Sequence, residues 1–327
     1  MSGRDEVGGL WAGFSVEIRD PGIVWVTFDR PEGLNGITYP MKRDFVLLTQ
    51  VLQLSPEHRV LVLHGQRHFG QGDDISGAYS IDEQWARARS PRVAERRRGD
   101  ELGLYGALRS TSQPMVMALR NLDMLSICAI EGYCIQLSLS LALAADFRIV
   151  AKTARLASNT LKFGYMPDEG GHKLLVQHMG VGRAMDFMMR KRMFGGEQAV
   201  AAGLAHEAVE AEDLLPQAMA LATEFAEGPQ VAMRLLKRAI YIADDVDLPH
   251  AMEDIATRTA ISDFVPDTGE GVRAWRESAS RTSTASSGRT PTTASTPRSR
   301  TATSAPSTRR HRQGAGSRAV MQDAGRP

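Results

Sequence analysis

Apolar residues along the chain follow two spacings, and these predict its elements. Ile23-Val-Trp-Val-Thr-Phe28 is a run of β-branched and aromatic residues that predicts a strand. Arg30-Pro-Glu-Gly-Leu-Asn35 breaks it as a loop. Between Thr38 and Leu54 the apolar positions Met41, Phe45, Leu48 and Leu52 recur at helical spacing. Arg59 to His64 is a short apolar run, as a strand buried on both faces shows. Gly65 to Asp74 is a glycine-bearing loop. Ile75 to Asp100 is polar and charged, and its basic run Arg96-Arg97-Arg98 reads as a solvated helix face. Glu101 to Leu122 predicts a helix and Ser126 to Ile130 a strand.

The stretch from Ala129 to His172 carries the densest pattern. An apolar strand meets a glycine turn at Gly132, then an apolar helix around Leu137 to Ala145. The strands Asp146-Phe-Arg-Ile-Val150 and Arg155-Leu-Ala157 follow. Strands separated by helices point to an α/β layer built from crossover units. After Gly171 the pattern turns helical. His172 to His178, Arg183 to Arg190 and Glu197 to Ala202 are short helices, followed by a brief strand, Ala205 to Val209. Glu212 to Glu227, Gln230 to Ala243 and Pro249 to Phe264 are longer amphipathic helices, and Pro266 to Glu277 ends the ordered part.

Composition changes this picture at the C-terminus. The net charge of +1 hides an asymmetry: from Ser278 onward there are nine Arg and one Asp, a balance of +8, which leaves −7 on residues 1–277. This tail is Ser, Thr, Ala, Pro, Gly and Arg, too poor in large apolar side chains to offset chain entropy, so 278–327 is expected to be disordered. A basic tail offers a surface for nucleic acid, but a solvated tail with no partner is the simpler expectation, and nucleic acid is not expected to be the ligand. Cys128 and Cys134 sit in apolar surroundings, so no disulfide framework and a cytoplasmic location are expected. No apolar run reaches membrane-spanning length, and the polar start carries no secretory signal core. His64, His68, His178 and His206 lack metal-ligand spacing, so no metal site is expected. Phosphate-loop and dinucleotide glycine patterns are missing.

Five blocks, in order, carry a resemblance. Phe28-Asp-Arg-Pro-Glu-Gly-Leu-Asn35, Phe69-Gly-Gln-Gly-Asp-Asp-Ile75, Ala129-Ile-Glu-Gly-Tyr133 with Ala145-Asp-Phe-Arg-Ile149, Gly164 to Gly171, and Glu197-Gln-Ala-Val-Ala-Ala-Gly-Leu204 are similar to the motifs of the crotonase (enoyl-CoA hydratase/isomerase) superfamily. The resemblance spans about residues 15–277. It implies an α/β fold, a crotonase-like spiral of ββα units with a helical C-terminal region. It also implies the organisation: a flexible N-terminus over 1–14, a core spiral over 15–210, a helical oligomerisation region over 211–277 and the tail. It implies a homotrimer or hexamer acting on an acyl-CoA thioester, with coenzyme A as part of the substrate and no permanently bound cofactor. Arg30, Pro31, Asn35, Gln71, Gly72, Asp74 and Ile75 would lie along the CoA. The backbone N–H groups of Asp73 and Leu137 would form an oxyanion hole, where one preorganised donor is worth about 3 kcal/mol. Leu137 also opens a helix, whose dipole favours an oxyanion.

The departures are as informative. Where the family carries three glycines beside the thioester, this chain has Gln136, Leu137 and Ser138, whose side chains occupy that space and leave three outcomes open: the hole kept, narrowed or blocked. The two hydratase glutamates have no counterpart: their positions are Ser140 and Thr160, and neither hydroxyl is a general base near neutral pH without a partner. Asp73 would bring negative charge to the oxyanion unless its side chain turns away. Asp168 and Glu169, after Pro167, offer acids where family members that isomerise dienes or hydrolyse C–C bonds place theirs. Two readings stand: acid/base catalysis, or capping of the helix that follows. Glu131, before Gly132, reads as a hydrogen-bonded turn residue, with a buried acid as the alternative, and His172 falls four residues from Asp168, a spacing that allows an acid–imidazole pair, though a surface or helix-lining histidine is the simpler expectation. The closing pattern Gly269 to Glu277 stops abruptly at the tail, as a genuine extension or a reading-frame change would make it. The expected function is therefore an isomerase, hydrolase or atypical hydratase acting through an enolate, with a non-catalytic acyl-CoA binder or assembly subunit as the alternative.

Overall fold

The computed structural model of the chain describes residues 7–74 and 101–277. Ile75, the rest of 75–100, and the tail 278–327 lie outside the described residues, so the expectations for them are not addressed.

The sheet grows from β3 (Ile23–Phe28), whose predicted bounds hold. It pairs residue for residue with β4 (Val60–Gly65) in parallel, and the order continues through β5 (Leu125–Ile130), β7 (Phe147–Ala151) and β10 (Glu207–Val209), all parallel. Val60 to Leu63 and Ile127 to Ile130 are fully buried, which is why these strands read as unbroken apolar runs. On the other side of β3 lie β2 (Phe14–Arg19) and β1 (Gly9–Trp11), both antiparallel. Residues 9–11 and 14 thus pair into the sheet, whereas 1–14 was expected to be a flexible terminus. Val7 is buried too and accepts from the Trp11 indole. The period-two alternation of Phe14, Val16 and Ile18 is the signal that marks the β2 hairpin.

A second, three-stranded sheet, β6 (Tyr133–Ile135), β8 (Arg155–Ala157) and β9 (Met193–Phe194), lies beyond the Gly132 turn. Helix α1 (Tyr39–Gln53) starts where Thr38 accepts a hydrogen bond from Met41 N and a proline sits in the first turn. The expected helix over Glu101–Leu122 is two, α2 (Glu101–Ser110) and α3 (Ser112–Asn121), because Thr111 takes a non-helical conformation. Helix α4 (Leu137–Ala144) is buried on every side, as an apolar helix with no polar face must be. It packs between α3 and α5 (Gly171–Met189). The two short helices expected within α5 are present, separated by a kink at Gly180, whose φ of 77° and ψ of 160° are non-helical. After α6 (Gly196–Ala201), α7 (Leu214–Glu227) lays Ala218, Ala222 and Ala226 on the sheet, small residues that allow close approach. Helices α8 (Gln230–Ala243), α9 (Leu248–Ser262) and α10 (Pro266–Glu277) complete the described chain. Among the described residues no helix is long and apolar enough to cross a membrane.

Candidate active site

Two loops meet at the C-terminal ends of β4 and β5. Phe69 N donates to Glu131 O at 2.9 Å, Gly70 N to Tyr133 O at 2.8 Å, and Ile135 N to Gly70 O at 2.9 Å. The approach is so close that a Cβ on Gly70 would stand 2.3 Å from Ser138 Oγ. Gly72, at φ +94°, lies against the amide of Leu137, and its own N–H donates to Ser138 Oγ at 3.1 Å. The amides of Asp73 and Leu137 are thereby brought to one place, and among the described residues neither has a hydrogen-bond acceptor. Glu131 takes part through its carbonyl. Its side chain, expected as a hydrogen-bonded turn residue, makes no hydrogen bond among the described residues.

Leu137 and Ser138 carry side chains where the resemblance implies glycines. Both are buried, and Leu137 joins the hydrophobic core. Asp73 does not stand uncompensated, because Lys42 Nζ lies 2.5 Å from its carboxylate and also donates to Ser112 Oγ at 2.8 Å. Lys42 is a lone cation on the buried face of α1, and nothing local in the sequence marks it. It ties α1, the first glycine loop and α3 together and offsets the negative charge of Asp73. Lys42→Met is expected to weaken binding of a CoA thioester by about tenfold, measured by titration calorimetry, and Asp73→Asn in the same chain is expected to restore it. A merely loosened loop would not be rescued by the second change.

The two acids part company. Asp168 is exposed, and its carbonyl accepts from Gln113 Nε2 at 2.9 Å. Glu169 is buried, 2% exposed. Neither caps the following helix: α5 begins at Gly171 with Gly170 as its cap residue and no side-chain cap bond, so the capping reading is corrected. Asp168 lies outside the helix and His172 points to solvent, so the possible Asp168–His172 pair does not form. Two glycines produce this turn. Gly170 has φ +93°, and a Cβ on Gly171 would meet Ser140 Oγ at 2.2 Å. The helix start is thus pressed onto α4, and the preceding Glu169 is driven inward.

There Glu169 enters a polar network. Its Oε1 accepts from Gln136 Nε2 at 3.0 Å and Ser140 Oγ at 3.3 Å, and its Oε2 from Asp168 N at 2.7 Å. Gln136 Oε1 in turn accepts from Ser158 Oγ at 3.1 Å and Thr160 Oγ1 at 3.3 Å. Ser140 and Thr160 therefore belong to one network whose single carboxylate comes from another segment. Gln136 holds it in place from a backbone at φ 51° and ψ −111°, a region normally left to glycine and costing about 1–3 kcal/mol. Burial, then the neighbouring Asp168 carboxyl, pushes the Glu169 carboxyl up to about 7.

The residues expected along the CoA brace one another. Arg30 reaches Gly36 O at 2.6 Å and Asp74 at 3.0 Å. Asn35, 1% exposed, accepts from Arg30 N and donates to Gln66 O and His68 O. Gln71 Nε2 donates to Gly33 O at 2.9 Å. Pro31 opens the short turn Pro31–Gly33 between them. Their side chains fix the shape of this loop pair. Beside Glu169, a cavity of about 550 Å³ opens between α3, α5 and α8. Sequence reasoning missed this wall because it joins segments more than a hundred residues apart. Among the described residues no cluster of three His, Cys, Asp or Glu could hold a metal ion.

Residues 93–279 match the family model for enoyl-CoA hydratase/isomerase, more than half of the chain, and the chain belongs to that family, within the crotonase superfamily. Among its relatives, it is 28% identical over 257 residues to a probable enoyl-CoA hydratase of Rhodobacter capsulatus, covering 78% of this chain and 92% of that one. It is also 28% identical over 263 residues to the 1,2-epoxyphenylacetyl-CoA isomerase of Escherichia coli K12, again covering 78% and 92%. The solved enoyl-CoA hydratase of Bacillus anthracis superposes with a TM-score of 0.74 at 24% identity, over 84% of this chain and all of that one. The expected crotonase fold, a spiral with a helical C-terminal region, is therefore the fold of this chain.

Proposed function

We propose that the protein is an acyl-CoA isomerase that moves a proton on a carbon next to the thioester, with Glu169 as its acid/base. The observation that carries this reading is the one buried carboxylate in the polar network. Water addition by the usual family route uses two carboxylates, and here Ser140 and Thr160 supply none. A single acid/base can remove a proton from one carbon and return it to another, which is isomerisation. The amides of Asp73 and Leu137 would hold the thioester oxygen as it gains charge. Arg30, Pro31, Asn35, Gln71, Gly72 and Asp74 would shape the CoA path, and Asp168 would act on Glu169 from outside. The isomerase relative supports the same direction. Ring-opening hydrolysis or an atypical hydration could use the same single base. In the non-catalytic reading, the bonds from Gln136 hold Glu169 idle.

The deciding experiment is mass spectrometry of enoyl-, dienoyl- and cyclic β-keto acyl-CoAs incubated with the protein in D₂O. Deuterium entering a substrate without a gain of water is the expected result. Tight binding with no exchange on any thioester would establish the non-catalytic binder. Assembly as a homotrimer or hexamer through 211–277 is part of the proposal. It is supported by Leu248, Met252, Ile261, Phe264 and Trp275, which stand exposed on or beside α9 and α10.

A further inference from the structure

The cavity beside Glu169 has a chemical direction. Helix α3 contributes Gln113, Val116, Met117 and Arg120, positions three, four and seven residues apart on one face. Gln113 touches the carbonyl of Asp168, and the other three line the cavity. Helix α5 answers with Lys173, Leu174 and Gln177 at the same spacing. Along α3 from the Glu169 level, the wall runs from Gln113 through the apolar Val116 and Met117, faced by Leu174, to the Arg120 guanidinium, with Lys173, Gln177, Arg238 and Asp245 also in the lining. Seven residues of α3 separate the Gln113 level from the Arg120 level, which is about 10 Å of helix. The other end of α3 is the thioester end, since Ser112 there accepts from the Lys42 that pairs with Asp73. Arg120 is therefore remote from the proposed CoA path and sits where the far end of an acyl chain would arrive.

Its state is unusual among the cavity's cations. Arg238 is paired with Asp123 at 2.6 Å, and Lys173 lies 3.6 Å from Asp245. Arg120 is only stacked on the Tyr241 ring, its guanidinium carbon 3.5 Å from the ring centre. Among the described residues it has neither a hydrogen bond nor an ion pair. Stacking leaves the guanidinium edge open, and that edge is the part that recognises a carboxylate with two parallel hydrogen bonds. Tyr241 is itself fixed, its hydroxyl donating to Asp146. The cation is thus held on a rigid platform beyond the apolar side chains of Val116, Met117 and Leu174.

We infer that the acyl group this site takes ends in a carboxylate, so that the substrate class is medium-chain ω-carboxyacyl-CoA thioesters, with Arg120 binding the terminal carboxylate. This deepens the proposed function and rests on its placing of the thioester beside Glu169. A chain ending in methyl would bury its tail against an open cation and strip water from it without return. A carboxylate there gains a charge-assisted pair.

The test compares binding of octanoyl-CoA and suberyl-CoA, equal in chain length and differing in the terminal group, to the full-length protein by titration calorimetry. The wild type is expected to bind suberyl-CoA about tenfold more tightly, and the preference to shrink as salt rises. Arg120→Met is expected to abolish the preference, by weakening suberyl-CoA and leaving octanoyl-CoA unchanged or tighter. Arg120→Lys is expected to keep part of it. Equal binding, a preference for octanoyl-CoA, or a preference that survives in Arg120→Met would overturn the inference. The readout needs no turnover, so an inactive but selective protein would sink the isomerase reading alone. Binding of neither ester would sink both.

Discussion

Glu169→Gln is expected to slow proton exchange into the acyl-CoA by about 10²- to 10⁴-fold, the range a positioned acid/base supplies, with thioester affinity nearly unchanged. The change suits the test because glutamine keeps the shape and can still bond Gln136 and Ser140, yet cannot carry the proton. Rate should also depend on pH in one direction. A carboxyl that titrates at about 7 must lose its proton to act as a base, so wild-type kcat/KM should rise with pH through about 7, and that limb should vanish in the variant. Retained exchange in Glu169→Gln would move the base to another residue. A limb that persists would assign the titration elsewhere.

The same group makes a stability prediction of opposite sense. Folded, Glu169 keeps its proton up to about 7; unfolded, it releases it near its ordinary value of 4.5. Between those values the native state holds the extra proton, so stability is lost as pH rises through the window, by an amount on the order of 3 kcal/mol when the loss is complete. Glu169→Gln has no such proton to lose. Its melting temperature should therefore gain on the wild type as pH goes from 5 to 8. A site that trades stability for a tuned carboxyl is what catalysis near neutrality requires.

How much of this was legible in the sequence can be read from particular residues. Strands β3, β4 and β5 were plain because burial on both faces writes itself as a continuous apolar run. The loop pair was plain because Gly70, Gly72 and Gly132 sit where only glycine permits the turn or the close approach. The absence of acids at positions 140 and 160 was plain as well. Which of Asp168 and Glu169 enters the site was not. That choice belongs to the Gly170 turn and to the 2.2 Å a Gly171 Cβ would leave from Ser140, a contact across thirty residues. Gln136 was visible as a replacement for glycine, but its effect was not. Its positive φ sends the amide to Glu169, a direction no local pattern records. Lys42 was invisible for the same reason: its meaning lies in Asp73 and Ser112, each distant in the chain.

The largest stability effect is expected away from the chemistry, at Asp146, which opens β7. Its Oδ2 accepts from Ser126 N at 2.7 Å, Ser126 Oγ at 2.9 Å and Lys237 Nζ at 2.8 Å, while Oδ1 accepts from the Tyr241 hydroxyl. The Lys237 and Asp146 side chains are 2% and 8% exposed, and among the described residues Lys237 has one other acceptor, Met124 O at 2.9 Å. Asp146→Ala leaves an ammonium group buried beside one carbonyl and is expected to cost about 3–5 kcal/mol in urea unfolding. Lys237→Met should cost less, since Asp146 keeps three donors. The double variant Asp146→Leu/Lys237→Met should recover only part of the loss, because it removes the buried ammonium while Ser126 and Tyr241 still lose their acceptor. If Asp146→Ala were no worse than Lys237→Met, the pair would not be the anchor of α8. The anchor matters because α8 carries Tyr241, and Tyr241 carries Arg120. A loosened α8 should then blunt the carboxylate preference even where fold and oxyanion loops survive. This couples the stability of a buried ion pair to the choice of substrate.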